Sequence, residues 1–264
     1  MIAGKSNTLR CHVDTKRSDR AMGHNHMMSR LTHVILTIQT LTMLSHAQAV
    51  MAETQLFDVH MMGRTLGQVT YSRTQKDHGL HSTLTARLNN TPMGVFDGVF
   101  IGVRQPSTGP DGRQAYEYRV SNVSPKRTRK VSVLFRNERV VQTRVTPPYK
   151  NAMALDLENA PLIATDMIDA FGAVSAQTQC PGSLRIYDGR RLIRVSPKSS
   201  IVQSKQLTCL MTYKVIKGPG HLHPFNFRSV GVSLTYKTDA LGRNALDQID
   251  LNAGVFNISL LQNN

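Results

Sequence analysis

The 264-residue chain has no tryptophan, only 8 Phe and 7 Tyr, only 3 Cys, and no long uninterrupted apolar run. Each scarcity excludes something. A nucleic-acid surface interleaves aromatic platforms with its basic residues. The one dense basic run, Lys126-Arg127-Thr128-Arg129-Lys130, holds no aromatic residue and lies between Ser124-Pro125 and Val131, as a solvated turn entering a strand does. Nucleic acid is therefore not an expected partner. A spanning helix needs about 20 predominantly apolar residues, yet the longest candidate, 31–44, is broken by Thr32, His33, Thr37, Gln39, Thr40 and Thr42. No transmembrane segment is expected in the mature chain. From Glu53 onward there is no Gly-x-Ser-x-Gly elbow, His-Glu-x-x-His helix or glycine-rich phosphate loop, so the motifs that seat a nucleophile, a zinc ion or a phosphate are missing. No catalytic, cofactor-binding or metal-ligating residue is assigned.

What is present begins with a leader. Met27-Met28-Ser29-Arg30 gives a short positive head, 31–44 an interrupted apolar middle, and Ala47-Gln48-Ala49 and Val50-Met51-Ala52 place small residues at two possible cuts. These are the marks of a secretory signal peptide. Residues 1–52 are read as leader, with cleavage after Ala49 or Ala52, and 53–264 as a single β-rich periplasmic domain. The poorly patterned stretch 1–26 (Lys5, Arg10, Lys16, Arg17, Arg20, His24, His26) is either an extended head or precedes true initiation at Met27 or Met28. No cysteine follows either cut, so no lipid anchor is suggested.

Setting aside the leader's 6 basic and 2 acidic residues from totals of 32 and 17 leaves 26 against 15, a net charge of +11. Such a surface attracts anionic lipid, lipopolysaccharide or acidic polymer, and peripheral membrane contact is compatible with it. It also simply serves solubility. Apart from the one run, the cations (Arg104, Arg119, Arg144, Arg185, Arg194, Arg228) are spread along the strands.

Short period-2 segments dominate the mature region. Tyr116, Tyr118 and Val120 alternate with Glu117 and Arg119, and Val131, Val133 and Phe135 with Ser132 and Leu134. The beat recurs at Met211, Tyr213, Val215, at Val230, Val232, Leu234, Tyr236, and at Phe256, Ile258, Leu260. Half-buried antiparallel strands have this alternation. Gly109-Pro110-Asp111-Gly112, Pro147-Pro148, Asp188-Gly189 and Gly218-Pro219-Gly220 supply turns between them. The expectation is a mainly β fold: a curved antiparallel sheet, half-barrel or β-spiral and lipoprotein-carrier-like, with one principal α-helix packed against it. Alternation alone leaves open an incomplete or a closed barrel.

The helix is expected after Asn159. Pro161 stands at a first-turn position, and Ile163, Met167, Phe171 and Val174 recur at helical spacing. Its apolar stripe reads as core or as the lining of a cavity for a lipid chain. Asp166 and Asp169, with Thr165, read as its polar side.

With Cys11 in the leader, Cys180 and Cys209 remain, an even pair suited to an oxidising compartment. A disulfide is expected, tying neighbouring hairpin strands across a loop through Ser199-Ser200. The competing reading is a metal site that adds His221 and His223 to the two thiolates, although this spacing matches no usual structural zinc pattern.

Several of these segments carry a family resemblance. Phe57-Asp58-Val59-His60-Met61-Met62-Gly63 running on to Gly67, then Pro161-Leu162-Ile163-Ala164, then Cys180 with Leu184-Arg185-Ile186-Tyr187-Asp188-Gly189-Arg190-Arg191, then Cys209 with Tyr213 and Gly218, resemble the exported bacterial family called domain of unknown function 3108. The similarity runs from about Leu56 to Leu260. Where that family commonly follows the arginine pair with an aromatic and an acidic residue, this chain has Leu192-Ile193. The resemblance implies a periplasmic, mainly β protein, and brings no catalytic residues.

Two classes of function follow. One is a non-catalytic cell-envelope factor that binds a lipid, lipoprotein or peptide in an apolar groove. The other is a periplasmic hydrolase or redox enzyme that uses Asp188, His221 and His223. Convergence of those three side chains in one concave site is the observation that separates the two.

Overall fold

The structure, a computed structural model, describes residues 52–76, 78–89, 91, 97–149, 162–221, 226–240, 242–254 and 256–263. Residues 1–51 of the expected leader, with the cut after Ala49, therefore lie outside the described residues, as do Asn159, Pro161 and His223.

The alternating segments form strands as their patterns require. They are β1 (Glu53–Met61), β2 (Arg64–Lys76), β3 (Gly79–Leu88), β4 (Gly98–Thr108), β5 (Gln114–Ser124), β6 (Arg127–Arg136) and β7 (Arg139–Thr146) before the helix. After it come β8 (Leu184–Tyr187), β9 (Leu192–Gln203), β10 (Gln206–Lys217), β11 (Ser229–Thr238), β12 (Asn244–Ala253) and β13 (Phe256–Gln262). All belong to one antiparallel sheet of order β7-β6-β5-β4-β3-β2-β1-β13-β12-β11-β10-β9-β8. The first and last strands pair at its centre, Val59 opposite Leu260, so the two meanders run outward from a shared seam. Register shifts at Val59/His60, Leu134/Phe135, Leu210/Met211, Val215/Lys217 and Thr235/Tyr236 insert bulges, and bulges increase twist and bend a sheet. Among the described residues the fold is mainly β with one helix, as the alternation and the single helical stretch predict.

Both outer edges of this sheet find partners in the same short segment. Val140 N–H donates to Leu162 O (2.9 Å) and Ala164 N–H to Glu138 O (2.8 Å) on the β7 side. On the β8 side, Thr165 N–H donates to Arg185 O and Tyr187 N–H to Thr165 O, both at 2.8 Å. Residues 162–165 thus bridge the gap between β7 and β8 and leave fewer unpaired edge groups there.

This use of 162–165 corrects the expected helix. The helix, α1, spans Met167–Ser175 and is N-capped by Asp166, whose carboxylate accepts from Ile168 N and Asp169 N. A cap at Asp166 and the edge hydrogen bonds before it hold Ile163 in extended backbone, where its side chain is exposed. Helical spacing at that one position was coincidental.

α1 lies across the concave face and is tied at both ends. Arg104 of β4 meets Asp166 (Nε to Oδ2, 3.0 Å) and Asp169 (Nη2 to Oδ1, 3.4 Å) at its start. At its finish, Tyr236 of β11 donates to Val174 O (3.0 Å), satisfying one of the carbonyls a helix end leaves unpaired. Asp166, expected on a solvated polar side, is 2% exposed and forms a buried anchor with Arg104, whereas the Asp169 side chain stays 42% exposed as expected.

Sidedness in α1 decides what lies beneath it. One face, with Ile168, Gly172 and Ser175 buried, packs toward β2 and β4. There, glycine on each partner permits contact: a Cβ on Gly102 would lie 2.9 Å from Ile168 Cδ1, and one on Gly172 would lie 2.1 Å from Tyr71 Oη. Phe171 stacks edge-on against Phe57 at 5.5 Å between centroids. Full burial of Ile168 contributes about 1.5–3 kcal/mol.

Cys180 and Cys209 are joined, with Cα atoms 5.5 Å apart. The geometry differs from the expected link between neighbouring strands. Cys180 lies in the connection before β8 rather than in a strand, and Cys209 is in β10, with Ser200 paired to it inside β9 rather than in a loop. A closed loop of separation 29 gives about 3–4 kcal/mol of stabilisation by the chain-entropy estimate.

Among the described residues, no helix is long and apolar enough to cross a membrane. The strands and helix belong to one compact unit.

Candidate functional site

Nine residues of helix reach about 14 Å at 1.5 Å per residue, whereas a 10-residue strand reaches about 33 Å. α1 therefore cannot cover the sheet. Its first face fills the space over β2–β4, and its second face, carrying Met167, Ala170, Phe171 and Val174, borders a cavity of about 550 Å³. The floor comes from β8 to β13: Ile186, Ile193, Val195, Met211, Val230, Val232, Leu234, Ile249, Leu251, Ile258 and Leu260. Of the alternating faces recognised in the sequence, those of β10, β11 and β13 supply cavity wall, through Met211, Tyr213, Val230, Val232, Leu234, Phe256, Ile258 and Leu260. Of the expected stripe, Met167, Phe171 and Val174 border the cavity, and Phe171 also packs against Phe57 and Tyr71.

The loop after β10 brings polar chemistry to this wall. Gly218 turns the chain, Arg228 holds the loop through Gly218 O (2.8 Å) and Val215 O (3.2 Å), and His221 and Phe227 pair through their backbones. Phe227 meets Phe256 edge-on at 5.9 Å. Both His221 and Phe227 border the cavity.

Three polar side chains then converge among apolar ones. Arg191 Nη1 donates to the His221 ring, contacting Nδ1 and lying 2.8 Å from Nε2. Tyr213 Oη lies 2.6 Å from the same Nε2. Asp188 sits behind them: its Oδ1 accepts from Arg190 N (2.8 Å) and Arg191 N (2.7 Å), fixing the turn after β8, and its Oδ2 is 3.6 Å from Arg191 Nη1. Burial, then the Arg191 and Arg190 cations, push the His221 imidazole down to about 4, so it is neutral at pH 7. Burial, then the Asp188 charge, hold the Tyr213 phenol well above its ordinary range, so it keeps its proton. Arg191 is the one charged side chain among the described cavity-lining residues. Its Nε is buried with no hydrogen-bond partner among the described residues.

Of the sequence-named polar residues, Asp188 and His221 do meet, through Arg191, while His223 lies outside the described residues. The cluster offers hydrogen-bond donors and one cation. Its histidine is a weak base and its phenol a locked acid, which suits binding more than proton transfer. Cys180 and Cys209 are bonded to each other, which removes both thiolates from the metal reading. Reasoning from sequence dwelt on Asp188 and passed over Arg191 and Tyr213. A phenol on the inward beat of β10, between Met211 and Val215, was the available signal.

The basic run falls elsewhere. Arg127 and Arg129 border a second cavity of about 310 Å³ with Phe100, Asn122 and Tyr149. Arg129 and Arg190 lie over the Tyr149 ring at 3.8 and 4.6 Å. The two arginines of the Asp-Gly-Arg-Arg turn therefore serve different places.

No family model matches the chain. No curated protein matches it either. A solved structure from Brucella abortus, a beta-barrel-like protein of domain of unknown function DUF1849, is similar to it. The two share 9% identity over 81% of this chain and 96% of that one, with a TM-score of 0.43.

Proposed function

We propose that this protein is an exported, non-catalytic envelope factor that holds the hydrocarbon chain of a lipid between α1 and the inner face of β8–β13. The observation that carries this reading is the 550 Å³ cavity walled by methyl and methylene groups. Its size falls within the usual range for small-ligand sites of about 300–1,000 Å³. An open apolar cleft of this kind leaves its lining in contact with water, and a hydrocarbon guest that removes that surface from water is stabilised by doing so. The cystine supports an oxidising compartment, and the net charge of +11 supports encounter with anionic membrane. The resemblance to the domain of unknown function 3108 belongs to the same proposal.

The test uses a neutral apolar dye, N-phenyl-1-naphthylamine, with purified protein freed of lipid by solvent extraction and refolding. Saturable binding at one site is expected. Val232→Phe, which projects a ring from the cavity wall, is expected to weaken it at least tenfold with the fold retained by circular dichroism. A folded wild-type protein that does not bind the dye would overturn the proposal.

A further inference from the structure

The apolar cavity is not apolar throughout, and its exception is specific. Placing a guanidinium beside methyl groups is costly unless every N–H is met. Arg191 is 13% exposed, and its Nε is buried without a partner among the described residues. Its carboxylate neighbour does not complete the accounting, because Asp188 Oδ1 is committed to two backbone N–H groups and Oδ2 is 3.6 Å from Nη1. Asp188 also faces two cations, Arg190 and Arg191, on the same turn. The turn thus carries one positive charge in excess. The residues packed around it, Tyr213 and His221, are neutral hydrogen-bonding groups that add no charge to the balance. Among the described residues, the Arg191 guanidinium that borders the cavity has no anionic acceptor other than Asp188 at 3.6 Å.

We infer that the guest is a long-chain carboxylate, a fatty acid, whose tail lies along the β8–β13 floor and whose carboxylate rests against Arg191, Tyr213 and His221. A planar, singly charged group suits the one guanidinium that borders the cavity. A phosphate monoester, with charge approaching −2, would leave the excess unbalanced in the other direction. This inference rests on the proposed hydrocarbon site and adds the chemistry of the head.

Displacement of N-phenyl-1-naphthylamine by a series with one tail and different heads is the experiment: oleate, methyl oleate, oleyl alcohol and oleoyl lysophosphatidic acid, in the lipid-free full mature chain. Oleate is expected to compete at concentrations at least tenfold below the methyl ester, the alcohol and the lysophosphatidic acid. Arg191→Met is expected to abolish the preference for oleate over the ester while dye binding persists, and Arg191→Lys to retain part of it. Tyr213→Phe provides a second variant should Arg191→Met not fold, with a smaller loss of preference expected. Equal competition by oleate and its ester would overturn the carboxylate assignment and leave the hydrocarbon site standing. Preferential competition by the lysophosphatidic acid would overturn it in favour of a phosphate head. Dye binding with no competition by any member would overturn it as well, and absence of dye binding would defeat the hydrocarbon site itself.

Discussion

At Asp166 one carboxylate has two tasks. It caps α1 through two backbone N–H groups at 2.8 and 2.9 Å, and it receives Arg104 from β4 at 3.0 Å. Burial pushes its carboxyl upward, against the pull of the backbone bonds and of Arg104. His221 shows the converse case, a base pushed down to about 4 against an ordinary value of 6.5. The sign of its pH effect follows. Between these values the unfolded chain binds the proton and the folded chain does not, so stability falls as pH drops through that window and is complete above it. Relative to His221→Gln, the wild type should lose roughly 1–2 kcal/mol between pH 7 and pH 4.5, after discounting for the solvent that reaches a half-buried ring. Denaturant titrations of both proteins at the two pH values measure it, and parallel changes would contradict a buried neutral imidazole. Asp166 cancels in this comparison because both proteins carry it. The sequence could not disclose the burial of either group: Asp166 reads as part of a polar side with Asp169, and His221 as a candidate site residue of unknown surroundings. Their burial is set by Arg104 and Arg191, which are 62 and 30 residues away.

Among the elements, α1 depends on a glycine more than on its helix formers. Gly172→Ala raises helix propensity by up to about 1 kcal/mol, yet the added methyl would meet Tyr71 Oη at 2.1 Å. Tyr71 is 2% exposed and cannot swing aside. Overpacking of this kind costs about 1–3 kcal/mol, so the substitution should be net destabilising. Tyr71→Phe removes the clashing oxygen, and a double-mutant cycle by denaturant unfolding should show positive coupling between the two sites. Additive effects would contradict the close packing of helix on β2. The strands themselves were legible, because alternation at Val131, Val133, Phe135 or at Val232, Leu234, Tyr236 depends only on one wet and one dry face. The start of α1 was not. Residues 162–165 form edge bonds to β7 and β8, partners that a local window does not contain.

For the whole molecule, the decisive quantity is the mismatch between a nine-residue helix and a sheet of thirteen strands. The apolar stripe and the inward beats announced what faces inward. They could not announce that the inward groups fail to meet, since that depends on curvature fixed by five bulges and on the tethers at Arg104 and Tyr236. The pairing of Cys180 with Cys209 was readable from parity and compartment, but the place of Cys180 in a connection rather than in a neighbouring strand was not. The outer surface offers competing apolar positions at the β9–β10 hairpin, where Ile201 and Val202 are 45% and 74% exposed. Where a bound chain sits therefore tests the account most directly. Intermolecular nuclear Overhauser effects should be measured between oleate and methyl-labelled protein. The account predicts contacts to Met167, Leu234, Ile249 and Ile258 and none to Ile201 or Val202; contacts confined to Ile201 and Val202 would contradict it.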